Sequence, residues 1–263
     1  SPPKKKLRIV CISDTHNHTS LSLPHGDILI HAGDLTNRGT HKELSKTLTW
    51  LCAQPHELKL IVAGNHDGCT LDPSYTHTSE SAVAAGIVYL NHEYRIFTLR
   101  DGRRIRVFAS PLSPSIAGGL WGFGYPTPQT LASSPWAVIP EDTEVLITHT
   151  PPKYHLDSSP TFPTPGGTPE MHHGCEFLRQ ALWRVRPVLH VFGHIHQGRG
   201  VEKVTWDLSS RFIKYREIQV ARVEDPSADN PRKQFLVDTV RRAEHRVARG
   251  EQTLLVNAAV ATG

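Results

Sequence analysis

The sequence predicts a mixed α/β sandwich, its strands covered by helices or by another sheet, on three observations. Five β-branched apolar runs, LRIVCIS, DILIHA, LKLIVA, EVLIT and PVLHVF, are continuous rather than alternating, the pattern of strands covered on both faces. Two stretches between them repeat apolar residues at helical spacing. Each of the five runs also stops at a polar cluster: DTH, GD, GNHD, a lone His and GHIH in turn. In open α/β sheets ligands bind where the strands end, in the crevice left between loops. The five endings are therefore the feature to explain.

Taken in order, residues 1–6 (SPPKKK) read as a basic disordered tail and residues 7–263 as a single domain. After two strands comes HKELSKTLTWLCAQ, where Leu44, Leu48 and Leu51 form one apolar stripe and Pro55 stops the helix. YRIFTL and RIRVFAS, joined through Asp101 and Gly102, read as an antiparallel hairpin. A second helix, CEFLRQALWRV, buries Leu178, Leu182 and Val185 and ends before Pro187. Segments 111–135 and 150–174 are rich in Pro, Gly and Ser, and irregular stretches of that length in a compact domain usually form functional walls. An inserted charged segment at about 221–252 is expected to hold one helix, opened by Pro231, faced by Leu236, Val240, Ala243 and Val247, and closed by Gly250. TLLVNAAV then forms the last strand.

Composition excludes several classes. At 38% hydrophobic and 21% charged residues the 263-residue chain is not disordered. No apolar run approaches the ~20 residues of a membrane helix, and the N-terminal stretch lacks the apolar core of a secretory signal. Cys11, Cys52, Cys69 and Cys175 show no CxxC spacing, so they read as reduced thiols of an intracellular protein. The expected compartment is the cytoplasm, with the nucleus as the alternative raised by Lys4, Lys5 and Lys6. A net charge of +4 permits anionic substrates without demanding nucleic acid. Seventeen histidines are the compositional oddity.

The five endings assemble into one donor set: Asp14 and His16, Asp34, Asn65 and His66, His149, and His194 and His196. Mixed oxygen and nitrogen donors suit a pair of divalent ions such as Mn, Fe or Zn, held about 3.5–4 Å apart by a bridging ligand. In D-x-H and H-x-H on extended backbone, side chains two apart would point the same way and deliver two ligands together. Glycines before Asp34, Asn65 and His194 would let backbone approach an ion closely. His31 and His190, inside strands, read instead as packed core histidines.

The order DxH, GDxxxR, GNHD, lone His and GHxH resembles the calcineurin-like metallophosphoesterase superfamily, over positions 14–196. DILIHAGD, IVAGNHD, the Trp-Gly-Phe segment, THTPP and RPVLHVFGHIHQGRG are similar to its MPPED-type branch; the likeness weakens over 201–252 and returns at LLVNAAV. The resemblance implies a four-layer αββα fold of two mixed sheets, with the dinuclear site at the strand ends. It also implies roles: Asp14, His16 and His196 on one ion, Asn65, His149 and His194 on the other, Asp34 bridging, and a water or hydroxide between the ions as nucleophile. His66 would stabilise phosphoryl oxygens or protonate the leaving oxygen, with Asp67 orienting it.

Related protein phosphatases carry Asp three residues after the bridging Asp, where this chain has Asn37. An amide can bond the imidazole but cannot stabilise an imidazolium by charge, so the expected substrates have good leaving groups or strained cyclic diesters. Asn37, Arg38 and His18 join Asn65 and His66 as candidate substrate contacts, Arg38 and His18 standing otherwise as solvated residues. Trp121, Phe123 and Tyr125 either stack on a base or pack in the core. The leading expectation is a phosphodiesterase of cyclic nucleotides or similar small diesters. A catalytically inert scaffold of the same fold, and a nuclease gripping nucleic acid through Arg241, Arg242, Arg246 and Arg249 of the inserted helix, are the competing readings. Oligomeric state is not legible.

Overall fold

The apolar runs are continuous because each strand divides its side chains between two cores. This follows from a computed structural model that describes residues 6–68, 80–115, 121–159, 171–210, 214–224, 234 and 236–260. Four strands, β1 (Ile9–Ile12), β2 (Ile28–His31), β3 (Leu58–Ile61) and β4 (Ile87–Tyr89), pair in that order, parallel throughout. The second sheet holds β5 (Glu93–Thr98), β6 (Arg104–Ser110), β7 (Val145–Thr148), β8 (Leu189–Phe192), β9 (Gly200–Trp206), β10 (Glu217–Val223) and β11 (Gln252–Asn257). Its spatial order is β10-β9-β11-β8-β7-β6-β5, with a parallel centre and antiparallel flanks.

Between the sheets, Ile28, Ile30, Leu60 and Val62 face Val107, Val145, Ile147, Val191 and Leu254. Leu29 and Ile61 point the other way, onto Leu44 and Leu51 of helix α1 (His41–Cys52) and Ala82 of α2 (Glu80–Ala84). On the far side, Leu146, Phe192 and Leu255 pack on Leu178, Ala181, Leu182 and Val185 of α3 (Glu176–Val185). Three cores thus separate four layers, the αββα sandwich that was expected. Only the larger sheet is mixed, since β1 to β4 all run parallel.

The two helices predicted between the strands both form. Thr40 and Glu43 cap α1 reciprocally, and Arg186 closes α3 at φ 50° just before Pro187. His31 and His190 are buried, bonded to Thr15 and Thr148 hydroxyls at 2.8 Å each.

The inserted segment departs from expectation. Residues 221–223 belong to β10, 225–233 and 235 lie outside the described residues, and 236–250 hold a single 3-10 turn, Ala243–His245, in place of a helix. Asp238 Oδ1 takes the amides of Val240 and Arg241 at 3.0 and 2.8 Å, which commits the chain to a turn. Leu236 and Val240 stay exposed while Val247 packs on the core between the sheets, so the predicted residues do not share one buried face. Strands β9 and β10 were not anticipated. The alternation of β10 sets Ile218 and Val220 toward solvent on a sheet edge, which carries no core signal.

Of the terminal tail, residues 1–5 lie outside the described residues, as does Cys69; Cys11, Cys52 and Cys175 are free thiols. Among the described residues no helix is long and apolar enough to cross a membrane.

Candidate metal centre

All five polar clusters meet at one edge of the sandwich, following β1, β2, β3, β7 and β8. The pleat is not how they deliver paired donors. Asp14 (φ 55°), His16 (φ 44°), Asp34 (φ 53°) and His194 (φ 68°) all lie in the left-handed region, so tight turns aim these side chains. Such backbone is costly for residues other than glycine, about 1–3 kcal/mol each, and gathers at functional sites.

The three glycines make room for the donors of neighbouring strands. A Cβ on Gly33 would stand 2.4 Å from His149 Nδ1, one on Gly64 2.2 Å from Asp34 Oδ1, and one on Gly193 2.0 Å from Asp14 Oδ2. Only Gly33, at φ 105°, also needs the conformational freedom of glycine.

The donors form two groups around Asp34. In one, His196 Nε2 lies 3.3 Å from Asp14 Oδ1 and 3.3 Å from His16 Nε2, and His16 Nε2 is 3.8 Å from Asp34 Oδ2. In the other, Asn65 Oδ1 is 2.9 Å from both His149 Nε2 and His194 Nδ1, and His149 Nε2 is 3.5 Å from Asp34 Oδ2. Asp14–His16–His196 and Asp34–His149–His194 each bring their donor atoms within 4.8 Å of one another, as does a third set, His16–Asp34–His66.

The surroundings fit divalent cations. His149 Nδ1 donates to the Ala32 carbonyl at 2.9 Å and His16 Nδ1 to the Thr36 carbonyl at 3.3 Å, so each ring in its neutral form turns an Nε2 lone pair toward the centre. Two Nε2 atoms facing each other, as in His16 and His196, need a proton or a cation between them. Burial opposes charge on Asp34 and His149. Their mutual attraction prevails, holding the carboxyl well below the usual range and lifting the imidazole to about 9. Burial, then the neighbouring His149, presses His194 down to about 4. A carboxylate this firmly ionised beside imidazoles is the electrostatic counterpart of a cation site.

His66 stands at the edge of this cluster. Its amide donates to Asp34 Oδ1 at 2.9 Å, and its Nδ1 donates to the Asn37 backbone carbonyl at 2.7 Å. That carbonyl, and not the Asn37 amide, meets the imidazole; the amide instead donates to the His16 carbonyl at 2.8 Å. Asp67 is fully buried. Its carboxylate takes Leu35 N, Thr36 N, Thr36 Oγ1 and Gly64 N at 2.6–3.0 Å, tying the GNHD turn to the loop that carries Asp34. These bonds make it a positioning residue for both turns rather than an orienter of the His66 ring. Burial, then the Asp34 charge, pushes its carboxyl up to about 6.

An open cavity of about 600 Å³ beside the cluster is lined by His16, Asn17, His18, Asn37, Lys46, His66 and His196. Lys46 was missed in the sequence: it reaches in from α1, its ammonium on the Asn17 carbonyl at 3.1 Å, and a lone lysine on an exposed helix face carries no motif. Arg38 lines an adjoining hollow of about 670 Å³ with Asn37, Thr40 and Glu43. His18 bonds Ser20 at 3.0 Å. Of the three aromatic candidates, Tyr125 is core, bonded to Trp136 and Cys175, and Phe123 packs on the outer core of the parallel sheet; Trp121 alone reaches His66, ring to ring at 4.6 Å.

The profile of the family described as "Calcineurin-like phosphoesterase" matches residues 7–198, nearly three quarters of the sequence and every donor above. The chain belongs to this family. A protein of Emericella nidulans named "Probable rhamnogalacturonate lyase C" is 46% identical over 211 residues, 78% of this chain and 18% of that protein. The human and mouse proteins named "Metallophosphoesterase domain-containing protein 1" are each 36% identical over 223 residues, 76% of this chain and 63% of theirs. The similarity to the MPPED-type branch of the calcineurin-like phosphoesterases therefore holds. The chain covers less than two thirds of the length of each of these relatives.

Proposed function

We propose that the protein is a metal-dependent phosphohydrolase that prefers phosphodiesters, with cyclic nucleotides or similar small diesters as substrates. The observation that carries this reading is the convergence of seven donors from five strand ends, with the buried Asp34 between two groups of three. Asp14, His16 and His196 would hold one divalent ion and Asn65, His149 and His194 the other, with Asp34 shared. Such ions, when bound, supply positive charge for phosphoryl oxygens and activate water at neutral pH.

The chain's own residues do the rest. With Nδ1–H committed to the Asn37 carbonyl, His66 presents Nε2 as the atom that exchanges a proton with the leaving oxygen. A neutral carbonyl behind the ring gives the imidazolium less support than a carboxylate would. Leaving groups that need little protonation, or a strained ring that opens readily, match that weakness. Lys46 and Arg38 line the approach and suit an anionic substrate. Against the nuclease reading stand the described part of the arginine-rich segment, which is not a helix, and Arg249, which pairs with Glu144 at 2.8 Å.

D34N tests the assignment. Asparagine keeps the shape but removes the shared charge, so metal content and turnover of a phosphodiester panel should fall together. A fully metal-loaded, active variant would refute it.

A further inference from the structure

The phosphoester reading leaves Trp121 without a task. It is 56% exposed, although an indole gains more than most side chains from leaving water. Its ring lies against His66 with centroids 4.6 Å apart and planes at 48°, and His66 in turn meets His16 edge-on at 4.8 Å. Backbone holds this contact in place. The Gly122 N–H donates to the Asn65 carbonyl at 3.0 Å. A Cβ on Gly68 would stand 2.4 Å from Gly122 Cα, and one on Gly122 2.3 Å from Gly68 Cα. The turn bearing Trp121 and the turn bearing His66 can approach this closely only because both positions are glycine. Single exposed aromatics are ordinary, but this one is seated by two glycines on the residue assigned to the leaving oxygen.

We propose that Trp121 is the leaving-group platform: a planar ring carried by the departing oxygen stacks on the indole, so the site selects aryl or nucleoside esters over alkyl esters. The inference rests on the phosphohydrolase reading above. An oxygen that takes its proton from His66 lies within hydrogen-bond reach of that imidazole, and its substituent then falls beside whatever flanks the ring. Trp121 supplies that flank with a face left open to solvent. Stacking of a planar ring on an aromatic side chain changes affinity by roughly 5- to 150-fold, and a half-exposed indole belongs at the lower end, about tenfold.

The test is calorimetric binding of phenylphosphonate and methylphosphonate, neither of which is a hydrolysable ester, to metal-reconstituted wild type, W121A and W121F. Wild type should prefer the phenyl compound by about tenfold and W121F should keep most of that preference. W121A should bind both alike, with methylphosphonate affinity unchanged. A phenyl preference that survives in W121A, or an equal loss for both compounds, overturns the platform while leaving the phosphohydrolase reading intact. Binding of neither compound to wild type overturns both.

Discussion

Alanine at Gly64 separates the seating of the metal donors from every backbone effect of glycine. Gly64 has φ −120° and ψ −174°, extended backbone that any residue adopts, so the substitution carries no conformational strain. The added Cβ would stand 2.2 Å from Asp34 Oδ1, 2.4 Å from Asp34 N and 2.7 Å from His149 Cε1. Against a normal contact of about 3.5 Å, the overlaps are roughly 0.8 to 1.3 Å. One crowded atom is a backbone nitrogen, so a rotamer change cannot relieve the clash and the Asp34 turn must retreat. Overpacking of this kind costs about 1–3 kcal/mol, and the backbone contact argues for the upper end. At about 2–4 °C per kcal/mol for a chain of this size, Tm should drop by roughly 6–12 °C. Displacing the shared donor should weaken metal binding about 10- to 100-fold. Gly102 is the control: φ is +84° with nothing within 4 Å of a Cβ, so G102A should lower Tm through backbone strain alone and bind metal as wild type does. Thermal denaturation and manganese titration of chelator-stripped protein read both quantities. G64A that loses Tm yet binds manganese with wild-type affinity would show that this close approach serves packing and not the donor set.

Two further outcomes follow from other contacts. H66A should retain metal while slowing turnover of alkyl diesters by about 10²–10⁴-fold, with a much smaller effect on nitrophenyl esters; loss of metal together with activity would place His66 among the ligands, which its neighbourhood with His16 and Asp34 permits. His155 is buried between Glu202 and Glu217, each at 3.3 Å, and although burial disfavours its charge these carboxylates raise its pKa above the ordinary value. Its contribution to stability is therefore complete below the unfolded value of about 6.5 and is lost as pH rises through the folded one. Denaturation midpoints should fall over that rise in wild type and stay flatter in H155Q; parallel profiles would remove His155 as the cause.

Much of the centre was legible because its donors sit where apolar runs stop. Asp14, Asp34, Asn65, His149 and His194 each follow a strand whose burial made the run continuous, and a strand end is a local feature. The positive φ values of Asp14, His16 and His194 were not legible, and the pleat was wrongly expected to aim the paired donors. Lys46 reaches the cavity through an approach that no local pattern announces, and which of the three candidate aromatics meets His66 was equally out of sight. The helix expected from Pro231 to Gly250 shows the opposite error: its apolar spacing was real, but Asp238 turns the chain and no neighbouring element covers Leu236 or Val240.

The sequence by itself determined an α/β sandwich, its four layers through the resemblance of its motifs, and which side chains would compete for cations, since periodicity and donor chemistry are written residue by residue. Tertiary structure decided what those side chains touch. Asn37 meets His66 through its carbonyl and not its amide, and Asp67 secures two turns instead of the imidazole, because hydrogen bonds form between whichever groups folding brings within 3 Å, and that proximity belongs to no single stretch of chain.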